Sequence, residues 1–166
     1  MLMNEFNNSD GSEIMYKDKI TVIPLAEEQI SEAVSLVWEV FSRFEAPEYS
    51  AEGIKEFRSF LDNESEMQKL NFYGAFIEGK LAGVLAMRQQ HISLFFVDEK
   101  YHRRGIGKNL FETMQKDFGI KRFTVNSSPY AVKIYERLGF KSTDTEQITN
   151  GIRYTPMHFT GGCKTK

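Results

Sequence analysis

The run His102-Arg-Arg-Gly105-Ile-Gly107-Lys108 combines positive charge with two residues that lack a Cβ. It lies between an apolar strand-like segment, Ser93 to Val97, and a helix-like pattern that follows Gly107. A helix N-terminus presents backbone N–H groups with no intrahelical partner and carries the positive end of the helix dipole. Anions such as phosphate bind there. Gly105 and Gly107 let the backbone approach a ligand closely, and Arg103, Arg104 and Lys108 add charge beside it.

Counting residues removes two phosphate motifs. A G-x-G-x-x-G dinucleotide fingerprint opening at Gly105 needs Gly or Ala where the chain has Leu110. A P-loop ending at Gly107-Lys108 needs Ser or Thr at Asn109 and Gly at His102.

The elements around this run follow from periodicity. Ile20 to Ile23 reads as a strand closed by Pro24, and Ile30, Ala33, Val34, Val37, Trp38 and Phe41 form one helical face. Ile54, Phe57 and Leu61 suggest a second, shorter helix after the break at Pro47. Phe72 to Ile77, Leu81 to Met87 and His91 to Val97 are three consecutive strands, an antiparallel meander. The helix carrying Leu110, Phe111, Met114 and Phe118 stops at Gly119, and a strand returns at Lys121 to Val125. Such a crossover places its two strands parallel. Ser128 and Pro129 predict an N-cap hydroxyl and a first-turn proline for a short helix with Ala131, Tyr135 and Leu138 on one face. Phe140 to Ile148 and Ile152 to Phe159 pair through Asn150-Gly151.

Length and composition bound the rest. With 166 residues, 41% of them hydrophobic, the chain can bury a core as one domain without disulfides. A net charge of -2 supplies no general attraction to nucleic acid, so the arginine pair is a local feature. The lone Cys163 cannot form an internal disulfide and reads as an inert tail thiol. No apolar run approaches the ~20 residues of a membrane helix, and the N-terminus lacks a secretory pattern. The expectation is a cytoplasmic protein with no membrane or nucleic-acid partner. Residues 1–19, polar and without period, read as a flexible leader, 20–160 as the domain and 161–166 as a tail.

His102-Arg-Arg-Gly105-Ile-Gly107 resembles the pyrophosphate motif Q/R-x-x-G-x-G/A of the GCN5-related N-acetyltransferase (GNAT) superfamily, with His102 in place of Gln or Arg. Val125-Asn126-Ser-Ser-Pro-Tyr-Ala131-Val-Lys-Ile-Tyr135-Glu-Arg-Leu-Gly139-Phe140 resembles its second motif, and the order of elements after Lys19 is also similar. The resemblance implies an α/β acyl-CoA N-acyltransferase fold, a mixed, mostly antiparallel sheet flanked by helices.

It further implies acetyl-CoA as co-substrate, no metal, and an amine acceptor, small molecule or protein, that attacks the thioester directly. A sensor or structural module that binds acyl-CoA without catalysis is the alternative. Homodimers are frequent among relatives. By resemblance, main-chain groups from His102, Arg103, Arg104, Gly105, Ile106 and Gly107, with Lys108 nearby, would hold the pyrophosphate. Phe95, Phe96 and Val97 would pair with the pantetheine arm, although as side chains Phe96 and Val97 read as core. Asn126 would contact the same arm or stabilise a turn. Tyr135 matches the tyrosine that protonates the leaving thiolate in many members, whereas its spacing alone fits a core aromatic. His91 falls where some relatives carry a catalytic glutamate, making it a candidate general base; a strand-end surface histidine is the other reading. Acceptor choice would lie between the first two helices and in the C-terminal hairpin, with Glu45, Glu48 and Tyr49 attracting a cationic amine or standing as a solvated loop. Phe41, Phe44 and Tyr73 would be apolar walls.

Overall fold

The computed structural model describes residues 2–7, 13–17 and 19–161. Cys163 and most of the expected tail lie outside the described residues. Within the expected leader, strands β1 (Leu2–Asn7) and β2 (Glu13–Lys17) pair antiparallel as a separate two-stranded sheet.

The domain is built on a mixed sheet in the order β3-β4-β5-β6-β7-β10-β8, with β9 also pairing β10. Strands β3 (Ile20–Pro24), β4 (Asn71–Ile77), β5 (Lys80–Arg88) and β6 (His91–Val97) form the antiparallel meander that the alternating apolar runs predict. After α4 (Ile106–Phe118), β7 (Arg122–Ser127) returns parallel to β6, and β10 (Ile152–Thr160) pairs antiparallel with β7.

Helices α1 (Ile30–Phe44), α2 (Ala51–Asp62) and α3 (Glu64–Gln68) cover one face. There Ala33, Val37, Phe41, Leu61 and Met67 pack on Phe72, Val84, Leu94 and Phe96. The other face carries α4 and α5 (Val132–Leu138), with Leu110, Phe111, Met114 and Tyr135 packed on Leu85, Met87, Phe123 and Val125. A strand buried on both faces reads as a nearly continuous apolar run, as β5 does from Leu81 to Met87.

Two local expectations change. First, Ser128 does not cap α5. Its carbonyl accepts the Ala131 N–H at 3.0 Å in a turn, the helix begins at Val132, and its N-cap, Ala131, has no side chain to offer. Second, the long strand expected from Phe140 to Ile148 splits into β8 (Lys141–Ser142) and β9 (Gln147–Thr149). Between them Asp144 draws its own neighbours into a turn, accepting the Thr145 N–H at 2.7 Å and the Gln147 side-chain amide at 3.0 Å. Beyond these, β6 carries an irregularity in its pairing with β5. Leu94 lies opposite Ala86 but Ile92 opposite Met87, so Ser93 is an extra residue. Such a bulge leaves one residue unpaired and reverses the faces on either side of it. Ile92 thus joins the α4 face, and Leu94 and Phe96 join the α1 face.

Candidate functional site

The bulge coincides with the place where β6 and β7 part. Only His91↔Thr124 and Ile92↔Val125 are paired, although both strands run on for several residues. The divergence opens a cleft of about 300 Å³. Its walls are Ser93, Phe95 and Phe96 from β6, and Val125, Asn126 and Ser128 from β7 and the turn after it. Ala131 and Tyr135 come from the α5 region, Glu56, Phe57 and Phe60 from α2, Ile152 from β10, and Glu45 and Tyr49 from the connection between α1 and α2.

Phe95 of the lining stands beside the glycine loop, whose own residues do not line the cleft. Gly105 is the N-cap of α4 in the left-handed region (φ 79°), and Arg103 shares that region (φ 63°). Turns of this kind direct successive N–H groups to one side, where an anion can sit. No acidic residue occupies the first turn of α4. A Cβ on Gly107 would lie 3.5 Å from the Phe95 ring and 3.9 Å from Val97, ordinary contact distances. Packing within the chain therefore does not demand glycine at 107, whereas close approach of a ligand would. His102 turns away from solvent: its Nε2–H donates to the Val97 carbonyl at 2.9 Å, and its ring lies 5.6 Å from Phe44. Arg104 lies over the Tyr101 ring, Lys108 pairs loosely with Glu112 at 3.9 Å, and Ile106 is buried under the sheet.

Tyr135 lines the cleft next to Phe95. Its ring meets Phe95 and Phe140 edge-on, at 5.9 and 5.3 Å. Among the described residues its hydroxyl has no hydrogen-bond partner, and burial, helped by the negative charge of Glu45, pushes its pKa above the ordinary phenol value.

At the far end Glu45 is half-buried. Burial pushes its carboxyl up to about 7 against a smaller opposing effect of the nearby Ser128 hydroxyl. That hydroxyl belongs to a residue only 6% exposed and has no partner at hydrogen-bonding geometry. Burial first, then Glu45, raises the pKa of Tyr49, and Arg153 opposes the rise. The α1–α2 connection and the C-terminal hairpin do meet here. Arg153 pairs with Glu48 at 3.3 Å and with Glu146 at 3.1 Å, and Gly53 packs so tightly on the Asn150-Gly151 turn that an added Cβ would lie 2.2 Å from the Gly151 carbonyl.

Several expected residues stand elsewhere. His91 begins β6, its Nδ1 2.9 Å from Thr124 Oγ1, and does not line the cleft. It sits where the two strands are still paired, short of their divergence. Tyr73 is on the α4 face, donating to Asp117 at 3.0 Å, and is no acceptor wall. Phe41 is fully buried behind the cleft, its ring tilted against Phe57 at 4.1 Å and Tyr49 at 5.4 Å. Phe44 bridges His102 and Tyr130 outside the lining, and Glu48 is engaged by Arg153. Of the walls not foreseen, Phe57 and Phe60 fit an ordinary buried helix face, while Ser93 and Ser128 show their use only through the bulge and the turn.

The architecture has known counterparts. The crystal structure titled GCN5-related N-acetyltransferase: aminotransferase, class-II, from Rhodopseudomonas palustris superposes with a TM-score of 0.73 at 20% identity, covering 90% of this chain and 99% of the other. PaiA N-acetyltransferase from Thermoplasma acidophilum, solved in complex with coenzyme A, gives 0.68 at 21% identity, covering 86% and 99%. In sequence, the uncharacterized N-acetyltransferase YafP of Escherichia coli K12 is 27% identical over 103 residues, 57% of this chain and 67% of YafP. The acetyltransferase (GNAT) domain family matches residues 45–160, which reach from Glu45 through the glycine loop and Tyr135 to the end of β10. On that match the chain belongs to the GCN5-related N-acetyltransferase family.

Proposed function

We propose that the protein moves the acetyl group of acetyl-CoA to a primary amine by direct attack, without a covalent enzyme intermediate. One observation carries the reading. Phe95 lines the cleft, packs on the Tyr135 ring and would lie 3.5 Å from a Cβ added at Gly107, so one side chain of the cleft stands beside both the glycine loop and a protonated, unpartnered hydroxyl. The similar PaiA N-acetyltransferase was solved with coenzyme A, which supports a coenzyme A ester as the ligand. Glycine at 107, which packing within the chain does not require, fits a closely approaching pyrophosphate as well.

The coenzyme would supply an activated thioester and a thiolate leaving group. The loop from His102 to Lys108 would hold the pyrophosphate on main-chain N–H groups, with Arg103, Arg104 and Lys108 adding charge. The edge of β6 that β7 abandons would offer main-chain groups of Phe95, Phe96 and Val97 to the extended arm, with Asn126 opposite. Tyr135 would give its hydroxyl proton to the departing sulfur. Its raised pKa keeps that proton in place at neutral pH.

The test is free-thiol release from acetyl-CoA across polyamines, aminoglycosides, amino acids and lysine peptides, with coenzyme affinity measured by calorimetry. Acceptor-dependent release is expected. Tight coenzyme binding with no acceleration by any amine would replace the enzyme with a non-catalytic acyl-CoA sensor.

A further inference from the structure

The acceptor end of the cleft holds a carboxylate that the fold leaves uncompensated. Glu45 is half-buried at the end of α1, and among the described residues no Lys or Arg pairs with it. Three residues on, Glu48 is paired with Arg153. The Ser128 hydroxyl lines the same cleft, buried and without a partner. The neutral Ser128 hydroxyl offsets only a smaller part of the cost of burying the Glu45 carboxylate with no cation beside it. The titratable groups that share this space are Tyr49, Glu56 and Tyr135, with Arg153 acting on Tyr49 from β10. Of the groups lining the cleft none is positive. What the arrangement lacks is a cation from outside, and a protonated amine would be one.

Resting on the acetyltransferase reading above, we propose that Glu45 is the general base of the transfer, taking a proton from the acceptor ammonium. The step balances. The ammonium nitrogen loses two protons as its bond to the acetyl carbon forms and the carbon–sulfur bond breaks. One proton leaves through Glu45 to solvent. The other replaces the proton that Tyr135 gives to the thiolate. A carboxyl held up to about 7 is ionised in a large fraction of molecules at neutral pH and is a stronger base than an ordinary one. His91, tied to Thr124 where the strands are still paired, does not fill this role.

Glu45→Gln keeps the side chain's size and removes its basicity. With acetyl-CoA and the amine that wild type turns over fastest, turnover is expected to fall on the order of 100-fold while acetyl-CoA affinity changes less than about twofold. The rise of turnover with pH centred at about 7 should vanish, and Glu45→Asp should restore part of the rate. Wild-type turnover with an unshifted acid limb in Glu45→Gln overturns the base role alone. A wild type that no amine accelerates overturns the acetyltransferase reading, and the base role with it.

Stability gives an independent readout. The unfolded chain loses this proton near 4.5 and the folded chain at about 7, so between those values the folded state binds more protons and stability falls as pH rises. Glu45→Gln should therefore melt above wild type at about pH 8, with the gap closing below about pH 4. A gap that is absent, or the same at every pH, would mean that the carboxylate is compensated and would overturn the proposal.

Discussion

The two ends of the cleft are made in different ways. The proposed nucleotide end is seven consecutive residues, His102 to Lys108, in which Gly105 at φ 79° caps α4 and a Cβ at Gly107 would make only ordinary contacts. The proposed acceptor end draws Glu45, Glu56, Ser128 and Ile152 from segments far apart in the chain, and its shape depends on how α2 sits on the β9–β10 turn. The first end should be sensitive to a single added carbon and indifferent to most side-chain identities. The second should respond to anything that moves a helix.

Tyr135 is common to both ends, and its loss should have the largest effect. Tyr135→Phe removes only the hydroxyl, leaving the ring against Phe95 and Phe140. Turnover should drop on the order of 100-fold with coenzyme affinity nearly unchanged. Equal loss of affinity would mean that the hydroxyl belongs to the nucleotide end as a binding group.

The two glycine sites separate the ends directly. At Gly53 an added Cβ meets backbone at 2.2 Å, so Gly53→Ala must displace α2 from the turn. A destabilisation of about 1–3 kcal/mol is expected, together with a raised KM for the amine and an unchanged coenzyme Kd. At Gly107 the added Cβ would come no closer than 3.5 Å to the Phe95 ring and 3.9 Å to Val97. Gly107→Ala should therefore raise thermal stability, by about 0.5–1 kcal/mol as for other helical glycines, while weakening coenzyme binding about tenfold. Stability and affinity both unchanged would remove the close approach inferred for the loop.

The same contrast explains what could be read beforehand. The meander, the parallel crossover and α4 follow from local periodicity, and the nucleotide end from residue types within one short run. Such features are local in sequence, where spacing carries the information. The acceptor end is not local. Nothing in the apolar pattern of β6 marks Ser93 as an extra residue, yet that bulge determines where the strands part. Ser128-Pro129 matches a helix-capping pair, and only the turn to Ala131 releases the hydroxyl to the cleft. Tyr73 and Phe41 fit a pocket wall as well as a core by composition; the register of β4 and the face of α1 put both in the core.

The smallest effect should come from Arg153. Its guanidinium links Glu48, in the loop after α1, to Glu146, in the loop before β9, and all three side chains retain substantial solvent exposure. Exposed pairs of this kind contribute about 0–1 kcal/mol each and weaken with salt. Arg153→Gln should therefore cost no more than about 1 kcal/mol at low ionic strength and less at high. The acceptor KM should move little, because the Gly53 contact with the turn holds α2 in place without the ion pair. A large, salt-sensitive rise in KM would reverse the order of importance. The acceptor end would then be held by charge rather than by close backbone packing.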